Sequence, residues 1–202
     1  MSLLEERNYY KPFNYPWAFE NYKTQQHMHW LPDEVNLADD LKDYRENLTD
    51  DNRKLLTNIF RFFTQADVDV CCGYASHYLP SFKQPEVRMM LVAFASMEAV
   101  HQEAYSLLLE TLGYDDSEYK MFSKVQAMSD KHEYLSTFSA DTLSGLAKTM
   151  AVFSAFTEGV QLFSSFAILL NFPRHNKMKG MGQIVTWSVR DETLHCNSMI
   201  RI

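Results

Sequence analysis

The sequence predicts an all-α chain, a bundle of a few long helices. Three observations carry this. Only six Gly and six Pro occur in 202 residues, and turns and strand bends are where those residues are needed. Pro is absent from Glu86 through Phe172, so nothing in that stretch need break a helix. Apolar residues there recur in steps of three and four, the period of one helix face. With 46% hydrophobic and 22% charged residues, the composition is ordinary globular and excludes a disordered tail or a collagen-like repeat. The length suits a single domain covering 1–202.

Element by element, residues 1–36 mix Pro12, Pro16 and Pro32 with many aromatics, which predicts an extended arm packed over a core. A short helix is predicted from Asn36 to Asn47. A second runs from about Asp50, capped by Thr49 or Asp50, toward Tyr78. Pro80 and Pro85 bracket a turn. Pro85 then opens a third helix that Gly113 stops, about 42 Å long at 1.5 Å per residue. A fourth is predicted from Ser117 to Leu135, a fifth from Asp141 to Asn171 before Pro173, and a sixth from Gln183 to the end. Short turns between long helices describe an antiparallel bundle.

Charge and cysteine content narrow the partners. A net charge of -7 with no basic run excludes nucleic acid and anionic membrane surfaces as expected direct partners. Cys71, Cys72 and Cys196 form no secreted framework, and the N-terminus MSLLEERNYY has no signal-peptide pattern, so a reducing, cytoplasmic setting is expected. The most apolar stretch, 151–172, contains Glu158 and Gln161. It reads as a buried helix, and no membrane span is expected.

Acids interrupt the apolar stripes. The third helix runs Leu91, Phe94, Glu98, His101, Tyr105, Leu108, Leu112, and the sixth Val185, Ser188, Glu192, His195, Met199. The second gives Leu56, Phe60, Phe63, Asp67, Val70, Tyr74, and the fifth Ala151, Ala155, Glu158, Leu162, Phe166, Leu169. A carboxylate in a low-dielectric core is too costly to leave unpaired, and no Lys or Arg lies on these stripes. Metal ions resolve the conflict. Glu98 and Glu192 each begin an ExxH, which puts Glu and His about 60° apart on one helix face, within reach of one ion. Asp67 lies 31 residues before Glu98, and Glu158 lies 34 before Glu192, so two similar helical hairpins result. Four carboxylates carry -4, which two divalent ions neutralise. Oxygen ligands with one imidazole per ion suit Fe or Mn better than Zn or Ca. ExxH pairs also arise by chance, so their placement on apolar stripes carries the weight. The pattern matches the carboxylate arrangement of di-iron and di-manganese bundles, with Asp67 in one of the Glu positions.

The residues WLPDEV around Trp30, FFTQAD ending at Asp67, MEAVHQEAY, FTEGVQLFSSF and RDETLH resemble the small, radical-generating (R2, or β) subunit of class I ribonucleotide reductase. The resemblance extends over nearly the whole chain and implies a ferritin-like bundle with a di-metal carboxylate site. It implies Asp67, Glu98, His101, Glu158, Glu192 and His195 as ligands of two Fe and/or Mn ions, and Tyr105 as the radical site. Asp191 and Trp30 would form the electron path. The implied function is to activate oxygen, or a reduced oxygen species, and make the oxidant that a large subunit uses to reduce ribonucleotides. A large-subunit partner and a homodimer follow as expectations. The resemblance also implies a C-terminally truncated chain: this sequence ends seven residues after His195, where the family continues through further helices to a docking tail. Ser188 and Leu162 stand where the family often has bulkier apolar residues. A ferritin-like oxidase and an iron-storage protein share the fold.

Overall fold

The computed structural model describes residues 2–202, and among these every regular element is helical. Two helices form the spine, α3 (Asp50–Gly73) and α5 (Pro85–Leu112), packed along one another. Each begins and ends for a local reason. Thr49 Oγ1 accepts the Asn52 N–H at 3.2 Å, satisfying one of the free donors of the first turn of α3. Pro85 sits in the first turn of α5, where no N–H is needed. Gly113 ends α5 at φ +92°, a left-handed conformation that costs glycine little. The predicted third helix is thus found at full length.

The remaining predicted elements differ in instructive ways. Residues 1–36 are not an extended arm throughout, because α1 (Pro16–Met28) forms within them and lies on α5. Its fully buried residues are Ala18 and Gln25, seven apart, so one narrow line faces the core and no broad apolar stripe announces the helix. The short helix α2 (Ala38–Lys42) ends in a π turn, Asp43–Asn47. Beyond α3 the chain continues through a π turn, Tyr74–Tyr78, into α4 (Leu79–Ser81), so Pro80 lies within a helical turn and the bend falls at residues 82–84. The predicted fourth helix is two pieces, a 3₁₀ segment Glu118–Lys124 and α6 (Gln126–Ser136), separated by Val125 in extended conformation.

The predicted fifth helix is α7 (Leu143–Met150), a π segment Ala151–Leu162 and α8 (Phe163–Leu169), then the turn α9 (Asn171–Arg174), which includes Pro173. The wider π winding changes which side chains point inward. Phe153, Ser154, Thr157 and Glu158 are buried, while Ala151 is exposed and Ala155 only half-buried. By length and composition alone the run Leu143–Arg174 could cross a membrane, yet it buries Glu158 and packs on the last helix, α10 (Lys179–Arg201).

Helix α10 starts four residues before the predicted position because Asp40 caps it from α2. Asp40 Oδ2 accepts the Gly180 N–H at 2.8 Å and Oδ1 the Met181 N–H at 2.7 Å. The N-terminal segment is clamped to the start of α5. Glu86 Oε1 accepts the N–H groups of Asn14 and Tyr15 at 2.8 and 2.9 Å, and its Oε2 lies 2.6 Å from Arg7 Nη2. Arg7, Glu86 and Asp40 are all buried, and each of these charges that anchor the outer elements has hydrogen-bonded partners.

Candidate metal centre

All the stripe acids point inward. Asp67 from α3, Glu98 and His101 from α5, Glu158 from the π segment, and Glu192 and His195 from α10 are each at most 1% exposed. Donor atoms of Glu98, Glu158, Glu192 and His195 all lie within 4.8 Å of one another. His101 Nδ1 is 3.2 Å from Glu192 Oε1 and 3.5 Å from Glu98 Oε2, joining that group. Asp67 lies beside it, near enough for the Glu98 carboxylate to oppose its ionisation. Gly159 lets the π segment approach α10 closely: a Cβ there would stand 2.8 Å from Cys196 Sγ.

The outer edges of both imidazoles are committed. His101 Nε2 donates to Asp191 Oδ2 at 3.2 Å, an oxygen that also accepts the Trp30 Nε1 hydrogen at 2.8 Å. His195 Nε2 donates to Gln25 Oε1 at 3.0 Å, and the Gln25 amide nitrogen reaches Asp191 Oδ1 at 3.3 Å. Gln25 and Trp30 thus make one network with Asp191 behind the two histidines. With the hydrogens on Nε2, each Nδ1 lone pair faces the carboxylates, the tautomer a metal ligand requires.

That inner face is short of hydrogens. His195 Nδ1 is 2.9 Å from Glu98 Oε1, yet the contact lacks hydrogen-bond alignment. Asp67 Oδ2, both oxygens of Glu98 and of Glu192, and Glu158 Oε2 are likewise buried without a hydrogen-bond partner. Converging acceptors with nothing between them are electrostatically unfavourable unless protons or cations intervene. The titration behaviour has the same cause. Burial, then the neighbouring carboxylates, pushes Asp67 and Glu158 well above the usual carboxylate range. Burial also opposes ionisation of Glu98, but the adjacent His101 and His195 imidazoles, when charged, override it and draw Glu98 down to about 2. Against its own burial, His195 is raised to about 10 by Glu192 and Glu98. Two imidazolium ions leave four carboxylates half neutralised, whereas two divalent cations balance them. The donor set therefore fits a pair of metal ions, with oxygen-rich coordination and one imidazole for each.

Tyr105 lies one turn beyond His101, fully buried, its ring 4.8 Å from that of Phe63. Its hydroxyl donates to Ser188 Oγ at 3.1 Å. Phe166 packs on Phe63 at 5.2 Å, and Leu162 joins the same core. Two further residues at the site escaped the sequence reading. In the sequence Tyr74 is one more aromatic on the α3 stripe, but its hydroxyl donates to Glu158 Oε1 at 3.0 Å. Gln25 sits on a helix that the sequence did not announce, and no local pattern marks it.

Two hairpins that contribute carboxylates and ExxH histidines to one buried cluster narrow the possibilities to carboxylate-bridged helical proteins, and the family profile described as "Ribonucleotide reductase, small chain" matches residues 7–202. The chain belongs to the ribonucleotide reductase small-chain family. Among curated relatives, the probable ribonucleoside-diphosphate reductase small subunit 376L of Invertebrate iridescent virus 6 is 50% identical over 216 residues, covering 100% of this chain and 60% of that protein. This small-chain sequence therefore spans about 60% of the length of that curated relative. Among solved structures, the ribonucleotide reductase R2 subunit from Clostridium botulinum aligns with TM-score 0.85 at 21% identity, over 93% of this chain and 61% of that one. The dimanganese(II)-NrdF of Streptococcus sanguinis aligns with TM-score 0.80 at 21% identity, over 95% and 69%. At such identity the structural likeness shows the shared ferritin-like fold.

Proposed function

We propose that this chain is the metal-binding, radical-generating portion of a class I ribonucleotide reductase small subunit, acting with a large subunit that reduces ribonucleoside diphosphates. The observation that carries the reading is the set of buried, unpartnered acceptors from Asp67, Glu98, Glu158 and Glu192 that converge with two imidazoles oriented from behind. The Streptococcus sanguinis relative is a dimanganese protein, in keeping with Fe or Mn here. Two ions of Fe, Mn or one of each are the cofactor in this reading, which also places the protein in the cytoplasm as a homodimer.

When bound, such a metal pair supplies one-electron oxidising power after reaction with oxygen or a reduced oxygen species. The residues of the chain do the rest. Asp67, Glu98, His101, Glu158, Glu192 and His195 hold the ions. Tyr105 is the oxidisable phenol; burial holds its pKa above the usual phenol value, which keeps it in the neutral O–H form, donating to Ser188 Oγ. Phe63, Leu162 and Phe166 keep water from the ring. Asp191 and Trp30 form a hydrogen-bonded chain leading away from His101, the electron path in this reading.

The test is electron paramagnetic resonance of reduced, metal-loaded protein exposed to oxygen, or to superoxide for Mn. The reading expects a tyrosyl radical that disappears in Tyr105→Phe while metal content is retained. Absence of any protein radical, under every metal and oxidant, would overturn the role of Tyr105.

A further inference from the structure

The metal-centre reading leaves one well-defined contact without a role. Tyr74 opens the π turn at the end of α3, and Glu158 lies in the π segment opposite. The two meet through a 3.0 Å hydrogen bond from the phenol to Glu158 Oε1, and both are fully buried. π windings disturb the regular hydrogen-bond ladder, and they recur where a side chain must be re-aimed for function.

The other two cluster glutamates differ in one respect. Glu98 and Glu192 leave both oxygens without a hydrogen bond, whereas Glu158 leaves only Oε2. Among these three glutamates, it alone has one oxygen tied off by a neutral donor. The pattern parallels the imidazoles, where Asp191 holds His101 and Gln25 holds His195.

We propose that Tyr74 is the positioning residue for Glu158: its hydroxyl holds Oε1 and leaves Oε2 as the single free donor atom for a metal ion. This rests on the metal-centre reading. As a core aromatic alone, Tyr74 would need only its ring, which packs against Tyr78, Phe94 and His195 at 5.4, 6.2 and 6.3 Å between centroids. The hydroxyl is what separates the two roles.

Tyr74→Phe removes that hydroxyl and keeps the ring. Metal-free protein is titrated with Mn(II), and free aquo Mn(II) is followed by electron paramagnetic resonance. The expected result is two equivalents in the wild type. In Tyr74→Phe one equivalent is unchanged and the other weakens by about 10–100-fold, the usual effect of losing an outer partner of a ligand. Tyr78→Phe, at a hydroxyl with no hydrogen-bond partner, binds as the wild type does. Loading the wild type also gives an ultraviolet difference band of perturbed tyrosine, smaller in Tyr74→Phe than in Tyr78→Phe or the wild type. Wild-type affinity for both equivalents, equal weakening of both, or loss of folding would each overturn the proposal and leave Tyr74 as a packing residue. A wild type that takes up no Mn(II), Fe(II) or Co(II) would instead overturn the metal-centre reading itself.

Discussion

Gln25 Oε1 accepts the Nε2 hydrogen of His195 at 3.0 Å, across 170 residues of chain. The bond fixes which imidazole nitrogen faces the carboxylates, and through Asp191 it links both histidines to the N-terminal helix. A ligand histidine whose outer N–H loses its partner turns more freely and binds metal less well.

Gln25→Leu, which keeps bulk and removes the acceptor, should therefore weaken metal binding by about 10–100-fold. Gln25→Glu restores an acceptor for His195 and should recover part of the loss. Titration of the metal-free variants with Mn(II) measures both. Unchanged affinity in Gln25→Leu would remove Gln25 from the site.

The clamp that holds this helix in place makes a separate prediction. Arg7→Ala leaves Glu86 buried with the backbone donors of Asn14 and Tyr15 but without its ion-pair partner, and breaking such a pair costs about 3–5 kcal/mol. Chemical denaturation should show that loss. Hydrogen exchange should show the amides of α1 opening before those of α3 and α5. Uniform exchange across the three helices would contradict the clamp.

What the sequence revealed and what it hid follow from periodicity. On α5 and α10 every stripe residue from Leu91 to Leu112 and from Val185 to Met199 is buried, because an uninterrupted 3.6-residue winding carries the apolar pattern straight into the core. The six acids and histidines were legible for the same reason, as polar residues on otherwise apolar faces. The π segment Ala151–Leu162 broke the pattern, since a widened turn rotates later side chains and leaves no compositional mark. Glu158 stayed inside, while Ala151 is exposed and Ala155 half-buried. Helix α1 was hidden because Ala18 and Gln25 alone are fully buried among its residues, and Gln25 gains its meaning only from residues far along the chain. The Tyr74 hydroxyl was illegible because an aromatic on a stripe reads the same whether or not its tip has a partner.

Asp40 caps α10 from outside the helix, so its loss should fall on α10 first. Asp40→Ala deprives the Gly180 and Met181 N–H groups of their acceptor and should cost about 1–2 kcal/mol. Gly180→Ala is also disfavoured, because its Cβ would stand 2.7 Å from the Asn36 carbonyl oxygen and 2.8 Å from Asp40 Oδ2. Thermal melts of the two variants check both effects. A melting temperature equal to the wild type in Asp40→Ala would show the cap to be dispensable.

Ser188 supplies the acceptor for the Tyr105 hydroxyl. Ser188→Ala leaves a buried phenol hydrogen unpartnered and should cost about 1–3 kcal/mol. Any Tyr105 radical should persist in this variant with altered g-values, since its oxygen has lost a hydrogen-bonded neighbour. Identical spectra from both proteins would show that Ser188 does not contact the radical.

Elemental analysis of the protein, reconstituted with Fe(II) or Mn(II) and freed of loosely bound ions, bears most directly on the buried carboxylate cluster. Close to two ions per chain are expected in the wild type and in Glu103→Ala, whose side chain is exposed on the opposite side of α5. Glu98→Ala, Glu192→Ala and His195→Ala should each lose at least one. A count near zero in the wild type, or equal metal content across all these variants, would contradict a di-metal centre at these residues.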